Sequence, residues 1–131
     1  MSNRYKGEVE ANVQALEDAG FKLRRVDYEH GYGTEEGVDM VTTTTVDAAV
    51  GAILAVEEAW LYVSTGGTEW WPVARRAEEV WIHFVLGNES GVVVNDWLIP
   101  SDQELADLLD HTLTLVSDKW QDVAEVRRLA T

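Results

Sequence analysis

The sequence contains no cysteine, only two prolines and few lysines or arginines. Without cysteine there can be neither disulfide bonds nor thiolate-ligated zinc, so the fold has to be stabilised by packing. No apolar run approaches the roughly 20 residues that span a bilayer, and no basic leader precedes an apolar segment. We therefore expect a cytoplasmic protein that does not bind membranes.

Cations are almost absent from the middle of the chain. Ten lysines and arginines stand against 24 aspartates and glutamates, which gives a formal net charge of −14. Between Arg25 and Lys119 the only cations are Arg75 and Arg76, and the same interval holds eighteen acidic residues. Proteins that bind nucleic acid gain affinity by neutralising phosphates with Lys and Arg. We expect no direct binding of DNA or RNA, and a basic protein as partner.

The residues that are abundant are those that build a core. Of the 131 residues 46% are hydrophobic, and six are tryptophans. This composition is sufficient for one hydrophobic core, and no repeat or low-complexity linker divides the chain. A single acidic domain is predicted over residues 1–131.

Three helices are predicted where apolar residues recur at helical spacing. The first covers residues 8–19 and is followed by a glycine, the residue typical of the position after a helix. Capping boxes then indicate two further helix starts, Thr44 with Asp47 and Ser101 with Glu104. The last of these opens a long C-terminal helix.

Four strands are predicted from apolar runs or alternation, over residues 21–28, 59–64, 80–86 and 92–98. The last two are joined by a glycine-bounded connection and should form a hairpin. Residues 29–37 are predicted to be a loop, and residues 68–79 are predicted to be a loop with a possible turn of helix. The expected fold is α+β, with helices packed on one face of an antiparallel or mixed sheet of about four strands.

Residue spacings give no sign of a metal or cofactor site. His30, His83 and His111 lie in different predicted elements, and no pair has a spacing typical of metal ligands. Glycine spacing matches neither a phosphate loop nor a dinucleotide fingerprint, and no serine lies in a nucleophile elbow. We expect no metal, no cofactor and no catalytic residue.

Polar residues interrupt the last predicted strand. Asn95 and Asp96 follow three valines, so one of them must face the apolar layer or the strand must contain a bulge. One interpretation is a cleft in which Asp96 acts as a general base and His83, on the neighbouring strand, as an acid or orienting partner. The alternative is an edge-strand aspartate that serves solubility or hydrogen bonding, with a purely structural histidine.

Two groups of residues are candidates for binding a partner. Trp70 and Trp71, followed by Arg75 and Arg76, combine residue types that are enriched at interface anchors. Tryptophans that serve only to pack the fold, or a contact between the two copies of a homodimer, would give the same pattern. The second group is an acidic ridge on the outer face of the C-terminal helix, formed by Asp107, Asp110, Asp118 and Asp122. Such a ridge can also be merely solvated, or reflect adaptation to salt.

One segment resembles a known group of proteins. The run FVLGNESGVVVNDW, residues 84–97, is similar to a hairpin of small uncharacterised proteins from phages and prophages. The resemblance implies no particular activity. It implies an accessory protein of a mobile element, a group that includes acidic inhibitors of host defence.

Together these features predict a non-enzymatic acidic protein that docks onto a basic, nucleic-acid-binding surface of a protein partner. One version is a phage anti-defence protein that acts as a DNA mimic on a CRISPR or restriction complex. Another is an immunity protein that neutralises a basic nuclease toxin. The alternatives are a small enzyme or ligand-binding domain with a cleft near His83 and Asp96, and a homomeric structural or assembly protein.

Overall fold

A computed structural model describes residues 3–28, 40–42, 45–64, 79–87 and 93–130. The elements within these ranges are α1 (Asn3–Asp18), β1 (Lys22–Asp27), β2 (Met40–Thr42), α2 (Val46–Leu54), β3 (Glu58–Ser64), β4 (Glu79–Val85), β5 (Val94–Trp97) and α3 (Gln103–Ala130). The predicted α+β class is confirmed. No helix among the described residues is long and apolar enough to cross a membrane.

The strands form one antiparallel sheet in the order β2-β1-β3-β4-β5. All four predicted strands are present, and β4 pairs with β5 as the expected hairpin. The sheet also contains β2, which was not predicted because three residues are too few to show a periodic pattern. The short strands β2 and β5 are the two edges of the sheet.

Alternate residues of the central strands face the helices. In both β3 and β4 every second side chain is buried, while the intervening side chains are partly exposed on the other face. The buried residues form one cluster, to which α1 contributes Val9, Val13 and Leu16, α2 contributes Ala49 and Ile53, and α3 contributes Leu105, Leu109 and Leu113. Since α1 contacts both α2 and α3, it is the middle helix of the layer.

The glycine predicted to end the first helix does so. Gly20 has a φ of 101°, and its N–H donates to Glu17 O at 3.0 Å. The next residue, Phe21, donates its N–H to Leu16 O at 3.0 Å. This pair of bonds is the Schellman arrangement, which requires a backbone conformation that glycine adopts at little cost. The chain is thereby turned from α1 into β1.

The predicted cap of the second helix is wrong by one residue. Thr45, and not Thr44, is the N-cap of α2, because its extended backbone places Oγ1 3.2 Å from the N–H of Ala48. Asp47 then lies within the first helical turn. Thr44 itself is outside the described residues. Four consecutive threonines are equivalent capping candidates, so their spacing alone does not select the cap.

The predicted cap of the C-terminal helix needs the same correction. Asp102 Oδ1 accepts hydrogen bonds from the N–H groups of Glu104 at 2.9 Å and Leu105 at 3.2 Å, so Asp102 caps α3 in place of Ser101. A carboxylate here satisfies two N–H groups and also interacts favourably with the helix dipole.

Candidate functional site

The interruption in the last strand is a β-bulge. His83 pairs with Asp96 and the next residue of β4, Phe84, pairs with Val94, so that β5 holds one extra residue. Val94 is buried, whereas Asn95 and Asp96 are both exposed. The bulge therefore keeps both polar side chains out of the core, which is the second of the two alternatives that the sequence left open.

His83 lies between two carboxylates on the face of the sheet opposite the helices. Its Nδ1 is 2.8 Å from Asp96 Oδ1, and its Nε2 is 2.7 Å from Glu58 Oε2. The ring stacks on Trp60 with centroids 4.4 Å apart and planes 1° from parallel. Only 12% of the His83 side chain is exposed. Asn95 Nδ2 also donates to Asp96 Oδ1 at 3.1 Å.

This geometry occupies both nitrogens of the ring. An imidazole donates from both nitrogens only when it is doubly protonated, and in that state each N–H of His83 has a carboxylate acceptor. A general base needs a ring nitrogen that faces the substrate. His83 therefore forms a hydrogen-bonded cluster with Glu58 and Asp96 that links β3, β4 and β5, and a carboxylate lies against each ring nitrogen.

The sequence anticipated part of this cluster. His83 and Asp96 are brought together on neighbouring strands, while the role of Glu58 was missed. If the strand predicted over 59–64 is extended back by one residue, its alternation places Glu58 on the same face as Trp60. The contact between Glu58 and His83 also depends on the register of β3 and β4, which the sequence pattern does not give.

A cleft lies on the other side of Asp96, between β5 and α3. Its volume is about 400 Å³ and it is open to solvent. The strand side contributes Asn95, Asp96, Trp97 and Ile99, and the helix side contributes Gln103, Ala106, Asp107 and Asp110. We call it the β5–α3 cleft. It contains Asp96 but not His83, so the cleft expected near both residues is formed with only one of them.

The lining of the β5–α3 cleft combines acidic and apolar side chains. Asp96, Asp107 and Asp110 supply three carboxylates, and no described lining residue is a lysine or arginine. Asp107 also accepts a hydrogen bond from Gln103 Nε2 at 2.9 Å. Ile99 is 69% exposed, which is unusual for a large aliphatic side chain. A cationic ligand with an apolar part would match both features.

The start of β5 is fixed to α1 by a buried carboxyl group. Glu8 Oε2 accepts a hydrogen bond from the N–H of Val93 at 2.8 Å, and both residues are buried. Burial raises the pKa of Glu8, and the Val93 hydrogen bond opposes part of that rise. Glu8 thus positions the strand that forms one wall of the cleft.

The other predicted binding residues are only partly within the described residues. Asp107 and Asp110 line the cleft, and Asp118 is exposed further along α3. Asp122 belongs to α3, but its side chain is outside the described part of the chain. The predicted anchor, which consists of Trp70, Trp71, Arg75 and Arg76, lies entirely outside the described residues.

Arg25, the last cation before the cation-poor middle of the chain, has acidic partners. Its Nη1 donates to Glu79 Oε1 at 2.7 Å and its Nε donates to Asp27 Oδ1 at 3.2 Å. The guanidinium also lies 3.9 Å from the ring centroid of Tyr62. These contacts leave Arg25 poorly placed to attract an anionic ligand.

A second cleft, between α1 and α3, has a volume of about 430 Å³ and a mainly apolar lining that includes Ala15, His111 and Leu115.

Across the described residues, no three histidine, aspartate or glutamate side chains are arranged to hold a metal ion. Comparisons with protein families, with curated proteins and with solved structures gave no match. The geometry of this chain is therefore the basis for its functional assignment.

Proposed function

We propose that this chain is a non-enzymatic binding protein that docks an acidic face, centred on the β5–α3 cleft, onto a basic surface of a protein partner. The observation that carries the proposal is the convergence of Asp96, Asp107 and Asp110 around one open cleft without a described lysine or arginine. Two consecutive elements, β5 and α3, contribute these carboxylates, so the packing of the helix beside the strand brings the three charges to one cleft.

Electrostatics favours a basic partner. Close carboxylates produce a negative potential that accelerates encounter with a positively charged surface and repels nucleic acid. Because all three side chains reach solvent, each contact with a cation is worth only about 0.2–1 kcal/mol. Charge would therefore determine the choice of partner and the association rate more than the final affinity.

Apolar contact would supply the remaining affinity. The exposed side chain of Ile99 lines the same cleft as Trp97 and the three carboxylates. An apolar side chain of the partner that covers Ile99 would remove its surface from water and add roughly 1–2 kcal/mol. The predicted anchor at Trp70 and Trp71 remains a second candidate for this role.

Such a face suits an inhibitor that covers the nucleic-acid-binding surface of a cytoplasmic protein. Anti-defence activity and immunity against a basic nuclease toxin both use this electrostatic complementarity. The enzyme alternative is less well supported, because both nitrogens of His83 are held by carboxylates.

The test is affinity capture from a lysate of the host with three baits. The first bait is the wild-type protein. The second carries Asp107→Asn and Asp110→Asn, which remove two charges from the cleft. The third carries Glu10→Gln and Glu17→Gln, which remove two exposed charges from α1. Each is washed at low salt and then at about 1 M salt, where the screening length is about 3 Å.

We expect a basic protein to be retained by the wild-type and α1 baits, and to be lost from the cleft bait and at high salt. Equal retention by all three baits would contradict the proposal, because the surface would then act only through its total charge or not at all.

A further inference from the structure

The exposed edge of the sheet forms one wall of the β5–α3 cleft. Among the described strands β5 is the last in the sheet, and β4 is the only one of them that pairs with it. Leu98 donates its N–H to Trp81 O of β4 at 2.9 Å, so the backbone of Leu98 faces the sheet. In an antiparallel ladder, residues whose backbone faces the neighbouring strand alternate with residues whose backbone faces away from it. The residues before and after Leu98 therefore direct their N–H and C=O groups away from β4. Trp97 and Ile99 are those residues.

The outward backbone groups are available for pairing. Among the described residues, no backbone hydrogen bond of the turns, loops and caps involves Trp97 or Ile99. Both residues line the cleft. An edge with unpaired groups can accept a further strand, which is one of the common ways in which proteins bind extended peptides.

The opposite wall of the cleft is helix α3, and the spacing of its carboxylates suits the basic side chains of an extended peptide. Asp107 and Asp110 are three residues apart on α3, which corresponds to about 4.5 Å along the helix axis. Alternate side chains of an extended peptide project to the same side about 7 Å apart. Long, flexible lysine or arginine side chains at alternate positions can therefore reach both carboxylates while the peptide backbone follows β5.

A second copy of this chain does not fit as the added strand. Pairing of two β5 edges would bring Asp96 of each copy close together, and like charges across a strand pair are destabilising. The net charge of −14 adds general repulsion between copies. An edge with these charges selects a strand of opposite charge.

We propose that the β5–α3 cleft binds an extended basic segment of the partner, which adds to β5 as a sixth strand by pairing with Trp97 and Ile99. Its cationic side chains contact Asp96, Asp107 and Asp110, and an apolar residue covers Ile99. This inference rests on the proposed function, because it specifies the form of the basic partner.

The test uses synthetic peptides of about nine residues that alternate lysine and valine, a length sufficient for an ordinary strand. One peptide is unmodified. Two isomers carry N-methyl groups on alternate amides, one on the odd positions and one on the even positions. The isomers have the same charge and composition, but each lacks the hydrogen-bond donors on one edge. Fluorescence anisotropy measures the affinity, and hydrogen exchange measures protection of the Trp97 and Ile99 amides.

We expect the unmodified peptide and one isomer to bind with affinities within a factor of about three. The isomer that is methylated on the pairing edge should bind at least about tenfold more weakly, the loss expected for one hydrogen bond. Bound peptide should slow exchange of the Trp97 and Ile99 amides by about tenfold or more.

Two other outcomes separate this inference from the function on which it rests. If both isomers bind as well as the unmodified peptide and exchange at Trp97 and Ile99 is unchanged, strand addition is overturned while charge-dependent docking stands. If the peptide binds the double variant Asp107→Asn, Asp110→Asn as well as the wild type, the proposed function itself fails. Glu10→Gln with Glu17→Gln is the matched control.

Discussion

Glu8 allows the packing of β5 to be tested by a single change of side chain. The residue is 5% exposed, and its carboxyl group accepts a hydrogen bond from the N–H of Val93 at 2.8 Å, which joins α1 to the start of β5. Glu8→Gln keeps an oxygen acceptor and removes the ionisable group. Glu8→Ala removes both. Comparison of the two variants separates the hydrogen bond from the burial of charge.

The sign of the pH effect follows from the raised pKa of Glu8, which burial causes. Between the ordinary value of 4.5 and the raised value, the folded chain holds a proton that the unfolded chain has released. The free energy of unfolding therefore falls as the pH rises through this interval, and above it the loss is complete. Glu8→Gln should lack this fall, so its stability relative to wild type should increase with pH.

The hydrogen bond sets the difference between the two variants. In Glu8→Ala the buried N–H of Val93 loses its acceptor, and an unsatisfied buried donor costs about 1–3 kcal/mol. In Glu8→Gln the bond persists between neutral groups. We therefore expect Glu8→Ala to be about 1–3 kcal/mol less stable than Glu8→Gln at every pH.

Urea unfolding followed by tryptophan fluorescence, from pH 4 to pH 8, gives the required free energies. Acidic proteins also gain stability at low pH from reduced charge repulsion, so Glu10→Gln is measured in parallel to subtract the effect of one exposed charge on the same helix. The reasoning is refuted if wild type and Glu8→Gln show parallel pH profiles, or if the two Glu8 variants are equally stable.

Three further predictions concern the His83 cluster and two glycines. His83→Phe should retain the stack on Trp60 but remove two charge-assisted hydrogen bonds, which lowers the free energy of unfolding by about 1–2 kcal/mol; an unchanged urea midpoint would show that the carboxylate contacts contribute nothing. Gly20→Ala should cost about 1–2 kcal/mol because Gly20 has a φ of 101°. Gly51→Ala, in the exposed interior of α2 where an added Cβ has open space, should stabilise by about 0.5–1 kcal/mol. Thermal unfolding of both glycine variants should therefore show shifts of opposite sign.

The features that could be predicted from the sequence depend on local patterns. The helices follow from apolar residues at helical spacing, and the β4–β5 hairpin follows from two apolar runs separated by glycines. The bulge was predictable because Asn95 and Asp96 conflict with burial of that strand. In each case the residues that create the pattern also occupy the element, so no long-range information is needed.

Features that depend on competition or on distant contacts could not be predicted. Neighbouring residues compete for each helix cap, and only the final backbone geometry selects Thr45 and Asp102. The contact between Glu58 and His83 depends on the register of two strands that are 25 residues apart in sequence. The β5–α3 cleft depends on where the long helix packs, and its periodicity gives the buried face but not the neighbouring strand.

The bulge in β5 gives the two sides of this strand different functions. A regular strand would place Asn95 and Asp96 on opposite faces, and one of them would enter the core. The extra residue instead leaves Asp96 between His83 and the β5–α3 cleft, so one carboxylate contributes to both. The hydrogen-bonded cluster with Glu58 and His83 holds Asp96 from one side, because two hydrogen bonds restrict its rotamers. The cleft therefore combines one carboxylate on β5 that His83 and Asn95 orient with two carboxylates on the neighbouring helix α3, an arrangement that orders one contact before a partner arrives.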